Sequence, residues 1–429
     1  MAGTAQKAIL ARVDQLTREQ IAPRAAEYDA AGANPIDSWR VLGRDGFLAS
    51  CIPTAYGGLG LDMPTYVGVI RTIASGCANT AMTVHMHSTV MRFIDALGTE
   101  AQKRRYFAEV VEHGRLFGSW GSEPAVSLSR SFLMETVVRQ DRDDYVVDGV
   151  KHFCTMALGA SHYMVWCALE GGTDMGKALL QVLVPADAPG IATDGKWNTL
   201  GMRATFSPSV TLTAVRVPRD AALGDPGTAL RAGVVESFAL GYAAVYVGIA
   251  EGALAFAIDY ARQRIVKPEN VPVAHDPTVQ RHVGELAAHL DAARLVLADT
   301  AERWEAADVQ ERGVLGNKAK YIATEVGLAV TSKKRSDALP DVPAMNEFVP
   351  GYEADSFHGI SAPNGTPREI VDKLNKEINA VLADPKLKAR LAELGAEVLI
   401  GTPEDYGRYL KGEIERWAKV IEFSGAKAE

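Results

Sequence analysis

The sequence has few cysteines, no long apolar run and no excess of basic residues. Four cysteines occur among 429 residues and none of them forms a CxxC pair, which excludes a disulfide framework and indicates reduced thiols in the core. Because no run of about 18 apolar residues occurs, no membrane span is expected. The N-terminal residues Met1–Lys7 contain no apolar signal-peptide core, so the sequence predicts a cytoplasmic protein.

The charge balance argues against a nucleic-acid-binding protein. Lys and Arg number 45, Asp and Glu number 53, and the net charge is −8, whereas phosphate binding needs a basic surface. The one close histidine pair is His85 and His87, and positions i and i+2 do not share a helix face. We therefore interpret both histidines as helix-surface or core residues and predict no metal site.

Changes in periodicity divide the first half of the chain. The length of 429 residues suggests two to four domains. Residues 1–115 have helical spacing, with a long apolar helical stretch at 66–97. Residues 116–225 change to a period of two and predict a small antiparallel β domain, with a hairpin turn at Asp148-Gly149. Its strand candidates are 133–138, 162–169, 178–184 and 209–217.

The second half of the chain predicts two further parts. Residues 226–328 have helical spacing and predict two long helices; these need two more to close a bundle, so the bundle is expected to be incomplete. Residues 329–429 predict short α/β units, with a strand at 357–362 and three helix starts. The starts are Thr366-Pro367, Asp384-Pro385 and Thr402-Pro403. The fold class is therefore a multidomain α and β protein: a helical domain, a small β domain, an incomplete bundle and an α/β fragment.

Six motifs in order give residues 1–330 a specific resemblance. They include a glycine-rich turn, a charged helix start and a Trp-Gly-Ser-Glu-Pro segment near the start of the predicted β domain. With the order of helices, β domain and helices, they resemble the acyl-CoA dehydrogenase family. The motifs are Ile52–Leu61, Leu97–Tyr106, Trp120–Pro124, Tyr145–Cys154, Leu200–Thr205 and Val215–Pro218.

The resemblance implies FAD held against the β domain and oxidation of the α–β bond of an acyl-CoA thioester, as in fatty acid metabolism. Ser119, Gly121 and Ser122 match positions at the pyrimidine end of the flavin. Phe153 matches the aromatic residue packed on the flavin ring, and Thr155 matches the hydroxyl that reaches the flavin nitrogen N5. From the residues alone, without the family pattern, a core position is the favoured interpretation of Phe153, and an ordinary strand-end hydroxyl is the alternative for Thr155.

The resemblance also implies an assembly. Arg264 matches an arginine that points to the FAD diphosphate of a neighbouring subunit, which implies a homodimer or homotetramer; a plain surface arginine is the alternative. The residues that follow, Ile265–Glu269, differ from the family pattern. An acyl-CoA-like small molecule is the implied partner.

Other residues differ from the family pattern at positions that bind the ligand or carry the catalytic base. Val126–Ser129 replaces the family's Gly-Ser-Asp segment, and Ala239 replaces an arginine at the start of the long helix. Phe238 occupies the position where some members place the catalytic base, Glu236 lies two residues away, and the usual catalytic-glutamate region is missing. The catalytic residue is therefore unknown and dehydrogenation is expected to be impaired. A flavin-dependent monooxygenase of the same fold is the alternative.

The tail, from about residue 328, resembles a different family. Its segments match the C-terminal third of Bug-type tripartite tricarboxylate receptors, which are two-lobed proteins that bind small carboxylates. Ala329–Lys333 fits both family patterns, so a joining event across this short similarity is a hypothesis. The remaining alternatives are a non-functional fusion and a carboxylate-binding module. The matching segments are Leu328–Ser336, Leu339–Pro343, Gly351–Ala354, Ala362–Pro367 and Trp417–Ile421.

Overall fold

The computed structural model divides into two compact units, Met1–Val330 and Thr331–Glu429, and each is described by itself. The residues described are 3–124, 133–199, 201–267, 270–331, 366–392 and 398–424. The finer division of the first unit at residues 115 and 225 stays a prediction. The departure at Val126–Ser129 and the predicted strand at 357–362 lie outside the described residues.

The first unit begins with six helices. The predicted apolar stretch 66–97 is two helices, because Cys77 adopts an extended conformation with φ −153° and ψ 102°. At the end of the first of these two helices, Gly76 lies against the residue that follows α1, since a Cβ on Gly76 would lie 2.5 Å from Thr17 Cγ2. Thr99 forms the capping box of the sixth helix with Gln102. The helices are α1 Thr4–Leu16, α2 Ala25–Ala31, α3 Ile36–Arg44, α4 Met63–Gly76, α5 Ala78–Leu97 and α6 Glu100–Val111.

A seven-stranded sheet follows, in the order β1-β4-β2-β3-β7-β6 with β5 paired to β4. The prediction of a purely antiparallel domain is wrong at β4, which pairs in parallel with β1 and β2. The sheet is accompanied by two short helices, α7 Met175–Ala178 and α8 Thr228–Arg231. The strands are β1 Phe117–Trp120, β2 Val137–Asp141, β3 Asp144–Lys151, β4 His162–Leu169, β5 Leu179–Pro185, β6 Ile191–Thr193 and β7 Val210–Pro218.

The predicted strands at 162–169, 178–184 and 209–217 are confirmed to within one residue, whereas the candidate 133–138 overlaps β2 only at its end. The hairpin turn predicted at Asp148-Gly149 is wrong. The turn lies between β2 and β3, where Arg142 has φ 58°. Gly149 is inside β3 at a register shift, and a Cβ there would lie 2.4 Å from Thr136 Oγ1. A close neighbour, and not a turn, therefore requires this glycine.

Three long helices complete the first unit: α9 Ser237–Gln263, α10 Pro277–Arg303 and α11 Val309–Thr331. The prediction of two was one short, because α11 has glycines and a narrow buried stripe that weaken its periodicity. A two-stranded ribbon, β8 Ile265–Val266 and β9 Val271–Pro272, separates α9 from α10. The buried residues of α11 are Leu315, Ala319, Ala323, Val326 and Val330.

Helix α9 packs on α4, α5 and α10. Glycines permit the close approach to α4, since a Cβ on Gly248 would lie 2.3 Å from the Arg71 carbonyl oxygen and one on Gly252 2.4 Å from that of Ser75. By length and composition, α9 is the one helix among the described residues that is apolar enough to cross a membrane. Half of its most apolar 18-residue stretch is buried, as in the core helix of a globular domain.

The second unit contains helices α12 Arg368–Ala383, α13 Pro385–Ala392 and α14 Pro403–Ser424. Two of the three predicted helix starts are confirmed. Asp384 accepts hydrogen bonds from the amides of Lys386 and Leu387, and Thr402 and Asp405 form a reciprocal cap. The start predicted at Thr366 is wrong by one residue, since the N-cap position of α12 is Pro367.

The cysteine and histidine predictions can be placed in this fold. All four cysteines are free and three are buried, with Cys51 partly exposed. His85 and His87 are both buried on α5, as predicted for core residues. No group of three or more His, Cys, Asp or Glu residues able to hold a metal ion occurs within the described ranges.

Candidate functional site

The end of β1 carries the first three predicted flavin residues. Ser119 is buried in β1, and Gly121 and Ser122 follow the strand directly. Between them, Trp120 stacks on Tyr163 of β4 with ring centroids 3.6 Å apart. The Trp120 indole also donates to the Thr155 carbonyl oxygen at 3.3 Å. The strand end is therefore joined directly to the turn that contains Phe153 and Thr155.

A buried ion pair fixes the backbone at this strand end. Lys151 Nζ lies 2.6 Å from Glu123 Oε1, and neither side chain is more than 1% exposed. The ammonium also donates to the Gly121 carbonyl oxygen at 3.3 Å. The carboxylate accepts from the amides of Glu135 and Thr136 at 2.6 and 2.9 Å. The pair thus joins β1, β3 and the start of β2.

The titration of this pair follows from its surroundings. Burial by itself would raise the pKa of Glu123, but the Lys151 ammonium and the hydrogen bonds hold that pKa below its ordinary value. Burial lowers the pKa of Lys151, against the attraction of Glu123. We expect the pair to be charged at neutral pH, because each charge is hydrogen-bonded by the other.

Phe153 and Thr155 lie in an irregular turn after β3. Phe153 has a left-handed conformation, φ 54°, and Met156 and Leu158 also have positive φ values. The ring of Phe153 is 64% exposed and meets Trp197 edge-on at 6.2 Å. The structure therefore excludes the interpretation of Phe153 as a core residue. A strained backbone that presents an aromatic face to solvent is typical of a binding surface.

This surface offers the two kinds of contact that a flavin ring needs. An isoalloxazine ring needs an apolar or aromatic wall and hydrogen-bonding groups at its polar edge. Phe153 supplies an exposed wall, and Leu158 in the same turn is 75% exposed. The hydroxyl of Thr155 and the polar groups of Ser119 and Ser122 are brought to the same strand end by the contacts above. The chemistry of the residues present is therefore compatible with a flavin.

Arg264 lies apart from this group. It follows the last residue of α9, where its amide donates to the Tyr260 carbonyl and its carbonyl accepts from Val273. Its side chain is exposed. Within the described ranges, no hydrogen bond, ion pair or ring contact joins it to the strand end of β1 or to the turn at Phe153. The structure therefore gathers five of the six predicted flavin residues and leaves Arg264 outside.

The start of α9 is aromatic where the resemblance would place a base. The ring of Phe238 lies 6.1 Å from those of Phe93 and Trp166 and 6.3 Å from that of His85. Glu236 has one buried carboxylate oxygen with no hydrogen-bond partner within the described residues. Burial raises the pKa of Glu236, and the positive charge of Arg312 only partly offsets this effect.

His85 is a buried polar group for which the sequence predicted only a helix-surface or core position. Its Nδ1 lies 2.8 Å from the Tyr66 hydroxyl, and its buried Nε2 has no partner within the described residues. Gly241 of α9 makes room for the imidazole, since a Cβ there would lie 1.9 Å from His85 Cε1. A histidine opposite a glycine of the facing helix is a contact that periodicity on one helix cannot reveal.

Comparison with known proteins accounts for most of the chain. Three models of the acyl-CoA dehydrogenase family match: the N-terminal domain at residues 3–113, the middle domain at 119–215 and the C-terminal domain at 240–334. Dibenzothiophene monooxygenase of Mycolicibacterium goodii is 30% identical over 331 residues, covering 72% of this chain and 79% of that protein. The chain belongs to the acyl-CoA dehydrogenase family.

Other members of the family agree with this assignment. Cyclohex-1-ene-1-carbonyl-CoA dehydrogenase of Syntrophus aciditrophicus is 28% identical over 330 residues, covering 76% of this chain and 78% of that protein. The solved structure of butyryl-CoA dehydrogenase from Megasphaera elsdenii superposes with a TM-score of 0.73 at 22% identity. The superposition covers 82% of this chain and 89% of the butyryl-CoA dehydrogenase chain. It confirms the acyl-CoA dehydrogenase fold.

The tail has a different relationship. The model of the tripartite tricarboxylate transporter receptor family matches residues 321–426. It overlaps the dehydrogenase C-terminal domain model, which ends at residue 334. The overlap contains Ala329–Lys333, the segment that fits both patterns. The resemblance of the chain to a dehydrogenase joined to part of a receptor is therefore confirmed.

Proposed function

We propose that the first unit is an FAD-dependent oxidoreductase whose flavin lies against the strand end of β1 and the turn at Phe153. The observation that carries the proposal is the exposed ring of Phe153, whose backbone has a left-handed conformation, two residues before Thr155. Solved relatives support a flavin, since one structure of the dibenzothiophene monooxygenase TdsC, 25% identical, is a complex with FMN and indole. The choice of FAD over FMN is part of the proposal.

Each residue of the site has a stated task in this proposal. Phe153 covers the ring face and excludes water from it. Thr155 donates a hydrogen bond at the N5 edge, and Ser119, Gly121 and Ser122 provide polar groups at the pyrimidine edge. Glu123 and Lys151 keep Gly121 and Ser122 in place. When bound, the flavin would supply the electron-transfer chemistry.

For the reaction, we propose weak α,β-dehydrogenation of an acyl-CoA thioester, with monooxygenation as the second candidate. The names of the dehydrogenase relatives support the first. The aromatic residue Phe238 at the expected base position favours the second, because an aromatic ring cannot remove the α-proton. Glu236 is the nearest carboxylate in sequence, and its raised pKa would suit a base only if its side chain reached the substrate.

The two reactions are distinguished by anaerobic spectroscopy of the protein loaded with FAD. Loss of the visible flavin absorbance on adding butyryl-CoA without oxygen would support dehydrogenation. No loss, together with oxygen consumption above the free-flavin rate when reduced flavin is supplied with dibenzothiophene, would support monooxygenation. If neither response occurs, both candidate reactions are contradicted. A wild-type protein that cannot be loaded with FAD would contradict the oxidoreductase proposal itself.

Replacing Phe153 by alanine is expected to weaken FAD binding by about tenfold to a hundredfold, because one aromatic face packed on the flavin is removed. The thermal stability of the apoprotein is expected to remain unchanged, since the ring is 64% exposed. FAD titration followed by quenching of flavin fluorescence measures the affinity. Phe256→Ala is the matched control, because Phe256 is 55% exposed on α9; equal affinity in both variants would contradict the assignment.

We also propose that Arg264 reaches the FAD of a neighbouring copy in a homodimer or homotetramer. Its exposed position at the end of α9 supports this, since an exposed guanidinium is accessible to a second subunit. The Arg264→Ala variant should lose FAD affinity only under conditions where the wild-type protein is oligomeric. A cytoplasmic location stays a prediction of the sequence.

For the tail, we propose a fusion that adds no ligand-binding activity. The matched segment 321–426 includes the tail, which resembles only the C-terminal third of a two-lobed receptor. A ligand-binding cleft between two lobes needs both lobes. Stabilisation of the second unit against heat by small dicarboxylates would contradict this and support a carboxylate-binding module. Sequencing across Ala329–Lys333 in the source genome would distinguish a single gene from two separately encoded ones.

A further inference from the structure

Arg92 on α5 carries a guanidinium that the protein largely encloses. Its Cζ lies 4.5 Å from the centre of the Tyr66 ring, so that ring covers one face of the guanidinium. The Cys51 thiol lies beside the same group. The nitrogens Nε and Nη2 are buried, and neither has a hydrogen-bond partner among the residues that the structure describes. A buried cation is costly unless it is paired and hydrogen-bonded.

The two nitrogens without a partner form one edge of the guanidinium. The N–H groups of Nε and Nη2 point in nearly the same direction, and together they are the fork that pairs with the two oxygens of a carboxylate. Arg294 and Arg216 each contact two carboxylates, whereas Arg92 forms no ion pair within the described ranges. The unsatisfied donors of Arg92 therefore have the geometry of a two-oxygen acceptor.

The groups that face this guanidinium do not neutralise its charge. Burial raises the pKa of the Cys51 thiol and that of the Tyr66 hydroxyl, so both groups are uncharged at neutral pH. The Tyr66 hydroxyl lies 2.8 Å from Nδ1 of His85, and burial lowers the pKa of His85 to about 3. This histidine is therefore also neutral. Arg92 is the one charged group of the cluster that it forms with Cys51, Tyr66 and His85.

Two carboxylates near this cluster belong to other ion pairs. Glu305 attracts Arg92, but its carboxylate lies 3.9 Å from Arg312 and its side chain is 69% exposed. Asp95 is three residues further along α5, lies 3.6 Å from Lys103 and is 43% exposed. Water screens both charges. Neither carboxylate therefore supplies the two hydrogen bonds that the fork of Arg92 lacks.

We propose that the Nε–Nη2 edge of Arg92 binds the carboxylate of a small molecule through two parallel hydrogen bonds. A carboxylate suits the site because its single negative charge balances the single charge of Arg92, whereas a phosphate dianion would bring a second charge that has to be desolvated. Arg92 and Cys51 are both partly exposed and Tyr66 is buried, so the ligand approaches from the side of Cys51. The site uses none of the proposed flavin residues.

The test measures binding of butyrate to the full-length protein by calorimetry and by thermal unfolding. Butyramide, which has nearly the same shape without the charge, is the control ligand. Butyrate should bind and raise the unfolding temperature of the wild-type protein, and butyramide should do neither. Arg92→Met should weaken butyrate binding by at least about tenfold, because two charge-assisted hydrogen bonds are lost. Arg92→Lys should have an intermediate affinity, since an ammonium keeps the charge without the fork.

A control variant and a second readout make the result specific to this site. Arg105 lies over the Tyr106 ring at 5.2 Å but is exposed, so Arg105→Met should retain the wild-type affinity for butyrate. Cys51 is partly exposed and the other three cysteines are buried. Saturating butyrate should therefore slow alkylation of Cys51 by iodoacetamide several-fold in the wild-type protein. If Arg92→Met does not unfold cooperatively, this labelling and the affinity of Arg92→Lys decide the question.

The outcomes are distinct from those for the flavin. A wild-type protein that binds no butyrate would overturn the proposal. Equal butyrate affinity in the wild-type protein and Arg92→Met would also overturn it, since the ligand would then bind elsewhere in the chain. Tighter binding of inorganic phosphate than of butyrate would overturn the choice of a carboxylate. Because all measurements use protein without added FAD, a failure of FAD binding would overturn the proposed function and leave this proposal standing.

Discussion

Replacing Lys151 by methionine is expected to destabilise the first unit by about 3–5 kcal/mol. The substitution leaves the Glu123 carboxylate buried without its cation, although the backbone amides of Glu135 and Thr136, the two residues before β2, still donate to it. Urea unfolding followed by tryptophan fluorescence measures the loss, and Trp120 lies close enough to report on this region. A loss below about 1 kcal/mol would contradict the role given to the pair.

Two further variants make this result specific. Lys177 pairs with Asp174, and the Lys177 side chain is 85% exposed. Lys177→Met should therefore change the stability by less than about 0.5 kcal/mol. Combining Lys151→Met with Glu123→Gln removes both charges and should recover part of the loss. FAD affinity should fall with Lys151→Met even where the protein remains folded, because Gly121 loses its hydrogen bond from Lys151.

Acidification is expected to destabilise the first unit through His85 and His87. Burial lowers the pKa of His85 to about 3 and that of His87 to about 4. Both lie below the unfolded value of about 6.5, so the folded protein binds fewer protons. Stability is retained above about pH 6.5 and is lost as the pH falls toward the folded values. Each histidine contributes a loss of about 2 kcal/mol between about pH 8 and pH 5.

Burial is the main reason that His87 stays neutral, and the hydrogen bond at its Nδ1 acts in the same direction. Its Nε2 lies 3.0 Å from the Leu48 carbonyl oxygen, and its Nδ1 accepts from the amide of Phe117 at 3.0 Å. Protonation of Nδ1 would place a donor against a donor in a buried site.

The histidine prediction is checked with unfolding curves at several pH values. His87→Gln should reduce the combined loss of about 4 kcal/mol by about half. His113→Gln, at an exposed position, should leave the pH profile unchanged. A profile that is the same for wild type and His87→Gln would show that these histidines do not control the acid sensitivity.

The sequence predicted the parts of the fold that depend on local patterns. Strands such as β4 and caps such as Asp384 and Thr402 are encoded by a few neighbouring residues, and the structure has them at the predicted places. The failures arise from contacts between distant segments. Beside the break at Cys77, Gly76 lies against Thr17, and inside β3, Gly149 lies against Thr136. The pattern of neighbouring residues reveals neither contact.

The site shows the same division. Phe153 and Thr155 were identified from a motif, and the structure adds the exposure and the left-handed backbone that suit Phe153 to a ligand. Ser207, whose hydroxyl oxygen lies 3.1 Å from that of Thr155, is 52 residues away in the sequence, and the two meet only through the turn after Met202. The cation that holds Gly121 is likewise 30 residues away, at Lys151. Such partners are visible only in three dimensions.

The most direct test of the account is whether the full-length protein carries FAD through a sizing column. After incubation with FAD, visible flavin absorbance should elute with a discrete protein peak, remain in Phe256→Ala and be largely lost in Phe153→Ala. This result would mean that the first unit holds its cofactor without the last helices of the family. A wild-type protein that unfolds cooperatively on heating yet elutes without flavin would contradict the central claim.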